Sequence, residues 1–321
     1  MPTKVQSQGL NEELGQINYI FSDKTGTLTQ NVMDFRKFSA GHHSYGMSQR
    51  VSQSEMKASQ QCDGPLVSNV NFFIGDLKKD LEEGSENHVK VKEMLLNLSL
   101  NHTVILGSLG KYCASSPDEL ALVNAAKFCG YEFESRDQRE NTISIKIKGQ
   151  VQTYRLLQLI DFTSARKRMT CVLETPSGEI LVLCKGADSI VLPLCHKSDE
   201  ALKIKTQAFI DDYANDGLRT LVLAQKKLTR SEYDKWNRKY QDAILSIKGR
   251  EELLEECALE LEQNFDISGS TAIEDRLQDN VAESIIHIRK AGIVIWVLTG
   301  DKIETAINVG YSSGLLDNSI N

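Results

Sequence analysis

An apolar run from Ile17 to Ser22 ends in seven residues, Asp23-Lys24-Thr25-Gly26-Thr27-Leu28-Thr29. A short apolar strand that stops at a carboxylate and turns into a polar loop constrains the fold more than any other feature of this chain. Open α/β sheets gather their chemistry at the C-terminal ends of their strands. The run therefore predicts a buried parallel strand over 17–22 that delivers Asp23 at its end. A matching piece lies near the other end of the sequence. A helix through Ile285 to Lys290 stops at Gly292, and Ile293 to Leu298 reads as a second buried strand. A loop at Thr299-Gly300-Asp301 and a helix from Ile303 to Ser313, with Gly314 behind it, complete the order helix, strand, loop, helix. The two chain ends thus predict one doubly wound α/β domain.

The middle of the chain has a different pattern. Ser116-Pro117-Asp118-Glu119 predicts a helix start: Ser116 caps, Pro117 suits the first helical position, and Glu119 can close a capping box. That helix should run to about Cys129 and end at Gly130. Residues 151–185 alternate as strands, with 169–174 and 179–184 joined by the turn Thr175-Pro176-Ser177-Gly178. Helical patterns cover 200–214 and 231–262, with a break near Gly249. This predicts an α+β insertion with an antiparallel sheet. Two polar stretches, 47–61 and 78–92, read as solvated loop, the second leading into a helix that ends at Met94-Leu95-Leu96.

Composition narrows the function. The 321 residues accommodate two domains of ordinary size, and the net charge of −7 leaves no basic surplus to neutralise nucleic-acid phosphates. Seven cysteines run from Cys62 to Cys257 without a C-x-x-C pair, which reads as reduced thiols and not a zinc site. No signal peptide is visible at the start, and no run approaches the ~18–20 apolar residues of a membrane span. The chain as given is expected to be soluble.

The run Asp23 to Thr29 resembles the signature of the P-type ATPases, members of the haloacid-dehalogenase-like superfamily. The resemblance implies a haloacid-dehalogenase-like, Rossmann-type phosphorylation domain, interrupted by the nucleotide-binding insertion. It implies that Asp23 attacks the terminal phosphate of ATP to give an aspartyl phosphate. Lys24 would add positive charge beside the transferring group, Thr25 and Thr27 hydroxyls, and Gly26 close backbone approach. Positioning and charge carry such a transfer, so Mg2+ at Asp23 and Thr25 is implied. Phosphatases of the superfamily resemble Asp-x-Asp; Thr25 in the second place removes that general acid and disfavours rapid hydrolysis. Leu298-Thr299-Gly300-Asp301-Lys302 is similar to the family's second motif, with Thr299 bonding the phosphoryl group and Asp301 facing the nucleotide. Asp275 in Asp275-Arg276-Leu277-Gln278-Asp279 is similar to a hinge motif that contacts nucleotide.

Four stretches of the insertion resemble the family's ATP pocket. They place Glu119 at the adenine edge, Phe162 of Asp161-Phe162-Thr163-Ser164 on the adenine ring, and Lys185 with Gly186 at the floor. Arg219 and Thr220 of Gly217-Leu218-Arg219-Thr220 would lie near the phosphates. Read singly, Phe162 is a core residue, Glu119 a capping residue, and Arg166-Lys167-Arg168 a solvated basic corner that also guides the anionic nucleotide.

Asp161 to Met169, Lys185-Gly186-Ala187-Asp188-Ser189 and Ala306 to Tyr311 resemble the phospholipid-flippase branch. That branch implies a parent at the cytosolic face of a membrane, with phospholipid as cargo and a small membrane β-subunit as partner. The resemblance divides the chain into 1–33 and 271–321, two parts of the phosphorylation domain, around a nucleotide-binding domain at 34–270. The family's further magnesium-site motif does not occur, so the phosphorylation domain reads as incomplete and the chain as an ATP binder with little self-phosphorylation. Two alternatives stand beside this: a nucleotide-binding module without turnover, and a soluble phosphatase of the same superfamily.

Overall fold

A computed structural model describes residues 9–47, 49, 52, 54, 67–107, 110–300 and 303–316. Its strands are β1 (Tyr19–Asp23), β2 (Thr29–Ala40), β3 (His43–Tyr45), β4 (Ile105–Leu106), β5 (Tyr112–Cys113), β6 (Tyr131–Asp137) and β7 (Thr142–Ile147). They continue with β8 (Gln150–Ile160), β9 (Arg168–Glu174), β10 (Ile180–Gly186), β11 (Arg219–Leu228), β12 (Asp266–Leu277) and β13 (Val294–Leu298). The helices are α1 (Leu10–Leu14), α2 (Leu77–Asp80), α3 (His88–Leu100), α4 (Pro117–Phe128) and α5 (Asp188–Val191). After them come α6 (Glu200–Asn215), α7 (Arg230–Leu245), α8 (Arg250–Leu261), α9 (Val281–Lys290) and α10 (Ile303–Ser312). Two compact units result: residues 33–214 with 218–274, and residues up to 32 with 215–217 and 275 onward. The chain passes between them within β2 and within β12, and again on either side of residues 215–217.

The larger unit is built on a nine-stranded sheet in the order β3-β2-β12-β11-β10-β9-β8-β7-β6. From β12 to β6 every neighbour is antiparallel. The hairpin β9–β10 turns where expected: Gly178 takes φ +84 and donates to the Thr175 carbonyl at 2.8 Å. Both strands are buried along nearly their whole length. Strand alternation explains how. Val172, Val182 and Cys184 join Trp236, Ala258 and Leu261 on one side, while Cys171, Leu173, Leu181 and Leu183 join Leu100, Val104 and Val123 on the other. Helices therefore cover both faces.

The helix boundaries follow local chemistry. Ser116 Oγ accepts the Glu119 N–H at the start of α4, and Gly130 takes φ +88 just beyond its end. Gly249 at φ +64 separates α7 from α8. Thr229 and Glu232 form a reciprocal capping box that starts α7 at Arg230. The stretch 78–92 starts a helix as expected, at His88, but α3 runs on to Leu100, past the expected end at Leu96. Val91 and Met94 on α3 reach the cluster of Phe38, Phe72 and Leu77, and that burial outweighs the polar composition. Most of 47–61 lies outside the described residues.

In the smaller unit, β1 and β13 pair in parallel, with Asp23 opposite Leu298. They are not buried strands. Tyr19, Phe21 and Trp296 are 60%, 68% and 55% exposed, and Phe21 stacks on Trp296 at 6.4 Å. Only one face of this pair is partly covered: Val297 lines a small cavity together with Ala306 and Val309 of α10, and alternation leaves Tyr19, Phe21, Val294 and Trp296 on the other face. No helix among the described residues is long and apolar enough to cross a membrane.

Candidate functional site

A cavity of about 480 Å³ opens in the larger unit, lined among others by Glu119, Leu122, Phe162, Lys185, Gly186 and Leu221. They arrive on four separate supports. Glu119 stands in the first turn of α4, Lys185 and Gly186 end the central strand β10, and Phe162 follows the end of β8. Lys185 Nζ donates to Glu119 Oε1 at 2.7 Å, while the Thr103 N–H and hydroxyl donate to Oε2 at 3.1 and 2.6 Å. Both Glu119 oxygens are thus engaged, and the capping box expected with Ser116 is not closed. The helix start is capped by Ser116 alone, which frees the Glu119 carboxylate to face the cavity.

Charge and burial compete at this pair. Burial pushes the Glu119 carboxyl up, but the Lys185 ammonium and the hydrogen bonds from Lys185 and Thr103 outweigh it and hold the carboxyl below its usual range. Behind Thr103, His102 is fully buried; its Nε2 faces the Ser99 carbonyl at 2.9 Å and its Nδ1 accepts the Val104 N–H at 3.1 Å. Arg136 donates to the His102 carbonyl. Burial, then the charges of Arg136 and Lys185, push the imidazole down to about 3, so it is neutral. Sequence inspection missed His102; its only sequence signal is a polar pair, Asn101-His102, closing an apolar helix.

Phe162 is 59% exposed, so the reading of it as core fails. An aromatic ring held at a cavity wall and open to solvent is a stacking platform. Gly186 has a backbone reason as well: a Cβ there would lie 2.5 Å from the Lys167 carbonyl oxygen and 2.6 Å from the Arg168 Cβ. The close approach that requires glycine is therefore the chain's own. The solvated basic corner is corrected too. Arg166 and Arg168 are buried and bound to Glu262, and only Lys167 between them is exposed. Two guanidiniums find a buried carboxylate just after α8, a partner about 95 residues away that no local pattern announces. Arg219 lies at the start of β11 and reaches Asp118 Oδ1 at 3.5 Å. It meets the cavity through Asp118, and neither Arg219 nor Thr220 lines it.

In the smaller unit, Asp23 is exposed at the end of β1. The loop after it turns at Gly26, φ +80, whose N–H donates to Thr29 Oγ1 at 3.1 Å, and Thr25 and Thr27 are exposed. Lys24 points inward: its Nζ lies 3.2 Å from Asp275 Oδ2, with both side chains buried. The residues that the resemblance assigned to the transferring group and to the nucleotide are thus paired with each other. Thr299 follows β13 one residue past the level of Asp23 and, with Lys24 and Val297, lines a cavity of about 100 Å³. Gly300 is exposed, and Asp301 lies outside the described residues.

The larger unit defines the class. Residues 94–280, which run from α3 through the cavity to the segment after β12, match the P-type ATPase cytoplasmic domain N, and the chain belongs to that family. Its relatives narrow the branch. The chain is 42% identical over 323 residues to human (Homo sapiens) phospholipid-transporting ATPase IC, covering 98% of this chain and 25% of that protein. It is 42% identical over 327 residues to phospholipid-transporting ATPase DRS2 of Saccharomyces cerevisiae, covering 100% of this chain and 24% of that protein. With phospholipid-transporting ATPase ID of Mus musculus it shares 41% over 324 residues, 98% of this chain and 27% of that protein. The chain spans about a quarter of the length of these relatives.

Proposed function

We propose that the cavity beside Phe162 holds the adenine end of ATP, and that this chain is the catalytic cytoplasmic part of a phospholipid-translocating P-type ATPase. The observation that carries the reading is the exposed Phe162 ring on a cavity that the Lys185–Glu119 pair also lines. Adenine stacks on the ring, and the pair presents the charged edge that orients it. Arg219, tied to Asp118 at the rim, offers a guanidinium to the phosphates.

In this reading residues 1–33 and 271–321 are two parts of a haloacid-dehalogenase-like phosphorylation domain around the inserted domain 34–270. In the whole protein an Asp23 carboxylate oxygen attacks the γ-phosphorus; the new O–P bond forms, the bond to the β-phosphate oxygen breaks, and ADP leaves. Thr299 holds the phosphoryl group. Among the described residues no cluster of three His, Cys, Asp or Glu could hold a metal by itself. Asp23 and Thr25 suit a Mg2+ carried in by the nucleotide phosphates, which needs only one or two carboxylates from protein. When bound, that ion would offset phosphate charge. Thr25 supplies no carboxyl for water activation, so the aspartyl phosphate persists long enough to drive movement of a phospholipid, at the cytosolic face of a membrane and with a small β-subunit as partner. Calorimetric titration with Mg-ATP tests the cavity: Phe162→Ala should weaken binding about two- to tenfold, the range for loss of an aromatic stack. Equal affinities of wild type and variant would overturn the reading. In the whole protein, acid-stable labelling by radioactive ATP should vanish in Asp23→Asn.

A further inference from the structure

We propose that Glu262 is a positioning residue of the nucleotide cavity, acting through Arg166 and Arg168 on the loop that carries Phe162. The inference rests on the nucleotide reading of that cavity. Glu262 follows α8, is fully buried, and binds three side chains at once. Its Oε1 accepts from an Arg166 Nη and from the Thr170 hydroxyl, the latter at 2.5 Å. Its Oε2 faces Arg168 Nε and Nη2 at 2.7 and 2.6 Å. Glu255, two turns earlier on α8, lies 3.7 and 3.6 Å from the same guanidiniums, so two carboxylates balance two buried cations.

The two arginines bracket Lys167, which sits at φ +50. Its N–H donates to the Thr163 carbonyl at 2.8 Å, and its carbonyl accepts the Ala187 N–H at 3.0 Å. The Thr163 hydroxyl accepts the Arg166 N–H at 3.2 Å. The turn 163–168 is therefore fastened by backbone to Ala187, just before α5, and by its arginines to Glu262, just after α8. Phe162 stands immediately before this turn. A ring 59% exposed is not held by packing all round, so the backbone that follows sets where it stands. Replacing a buried ion cluster by apolar residues is often neutral for stability, so stability alone does not call for this one. This one joins the ring's loop to a helix on the far side of the chain's sequence.

The test uses the 321-residue chain. Glu262→Gln keeps the shape and removes the charge. Hydrogen exchange should quicken in peptides covering 161–168 and stay unchanged in β7 and β8. Mg-ATP affinity by calorimetry should fall about two- to tenfold, the worth of a misplaced stack. In a Phe162→Ala background the same substitution should change affinity less than about twofold, because the ring it positions is gone. Unchanged exchange at 161–168, or equal loss in both backgrounds, overturns the proposal while leaving the cavity reading in place. Absence of Mg-ATP binding by the wild-type chain sinks the cavity reading and this proposal with it. Should Glu262→Gln not fold, Arg166→Lys keeps a cation near Glu262, loses the fork geometry, and is read the same way.

Discussion

Lowering the pH from 7 to 5 should remove about 2 kcal/mol of stability through His102 alone. The imidazole is fully buried, and both ring nitrogens are engaged by backbone, Nε2 with Ser99 and Nδ1 with Val104. Protonation would put a second donor where the Val104 N–H already points. The charged groups around it are Arg136 and Lys185, which oppose protonation, and Glu119, which favours it. Burial and the two cations win and push the folded value from 6.5 to about 3. A depressed folded value means that the unfolded chain takes up a proton the folded chain refuses. Stability from this group is thus complete above pH 6.5 and is lost as pH falls toward 3. The slope is about 1.4 kcal/mol per pH unit, so 1.5 units below 6.5 gives about 2 kcal/mol. Glu119 is also held low, but its contribution fades only below the ordinary carboxylate range, outside this window. Urea melts at pH 7 and pH 5 measure the difference. His102→Asn should be less stable at pH 7 and should lose about 2 kcal/mol less between the two pH values than wild type. Parallel losses in the two proteins would refute the argument, because the proton uptake would then belong elsewhere.

Two further outcomes follow from the cavity wall. Lys185→Met leaves the Glu119 carboxylate buried beside Thr103 without its cation, and should cost about 3–5 kcal/mol in denaturant melts at pH 7. Adding Glu119→Gln to it should recover part of that loss; no recovery would mean that the pair is not coupled. Gly186→Ala forces a methyl against the Lys167 carbonyl and the Arg168 Cβ, so it should lower stability by about 1–3 kcal/mol and weaken Mg-ATP binding. Thermal melting and calorimetry read the two effects.

Local chemistry made much of this chain legible. The turn Thr175-Pro176-Ser177-Gly178 announced its hairpin because a left-handed glycine leaves few alternatives. Ser116-Pro117 announced α4, and Gly249 the break between α7 and α8, for similar reasons of capping and backbone freedom. The motifs also pointed to the family: Asp23 to Thr29 carried the resemblance, and residues 94–280 match domain N. What pattern could not supply was the state of individual side chains. Glu119 read equally well as a capping residue, Phe162 as core, and Arg166-Lys167-Arg168 as a solvated corner. Those readings failed because burial and charge pairing are settled by partners distant in the chain: Lys185 for Glu119, Glu262 for both arginines. The strands β1 and β13 were legible as a parallel pair, yet their exposed faces were not, because an apolar residue carries no record of which side of a sheet is covered. Sequence alone determined the β9–β10 hairpin, the start of α4, the break before α8 and the strand–loop–helix order of the chain ends, since those depend on neighbours within a few residues. Only the tertiary structure decided which charges are buried, which ring faces the cavity, and that Lys24 turns inward to Asp275. Desolvation and ion pairing act through space, and the chain brings those partners together only by folding.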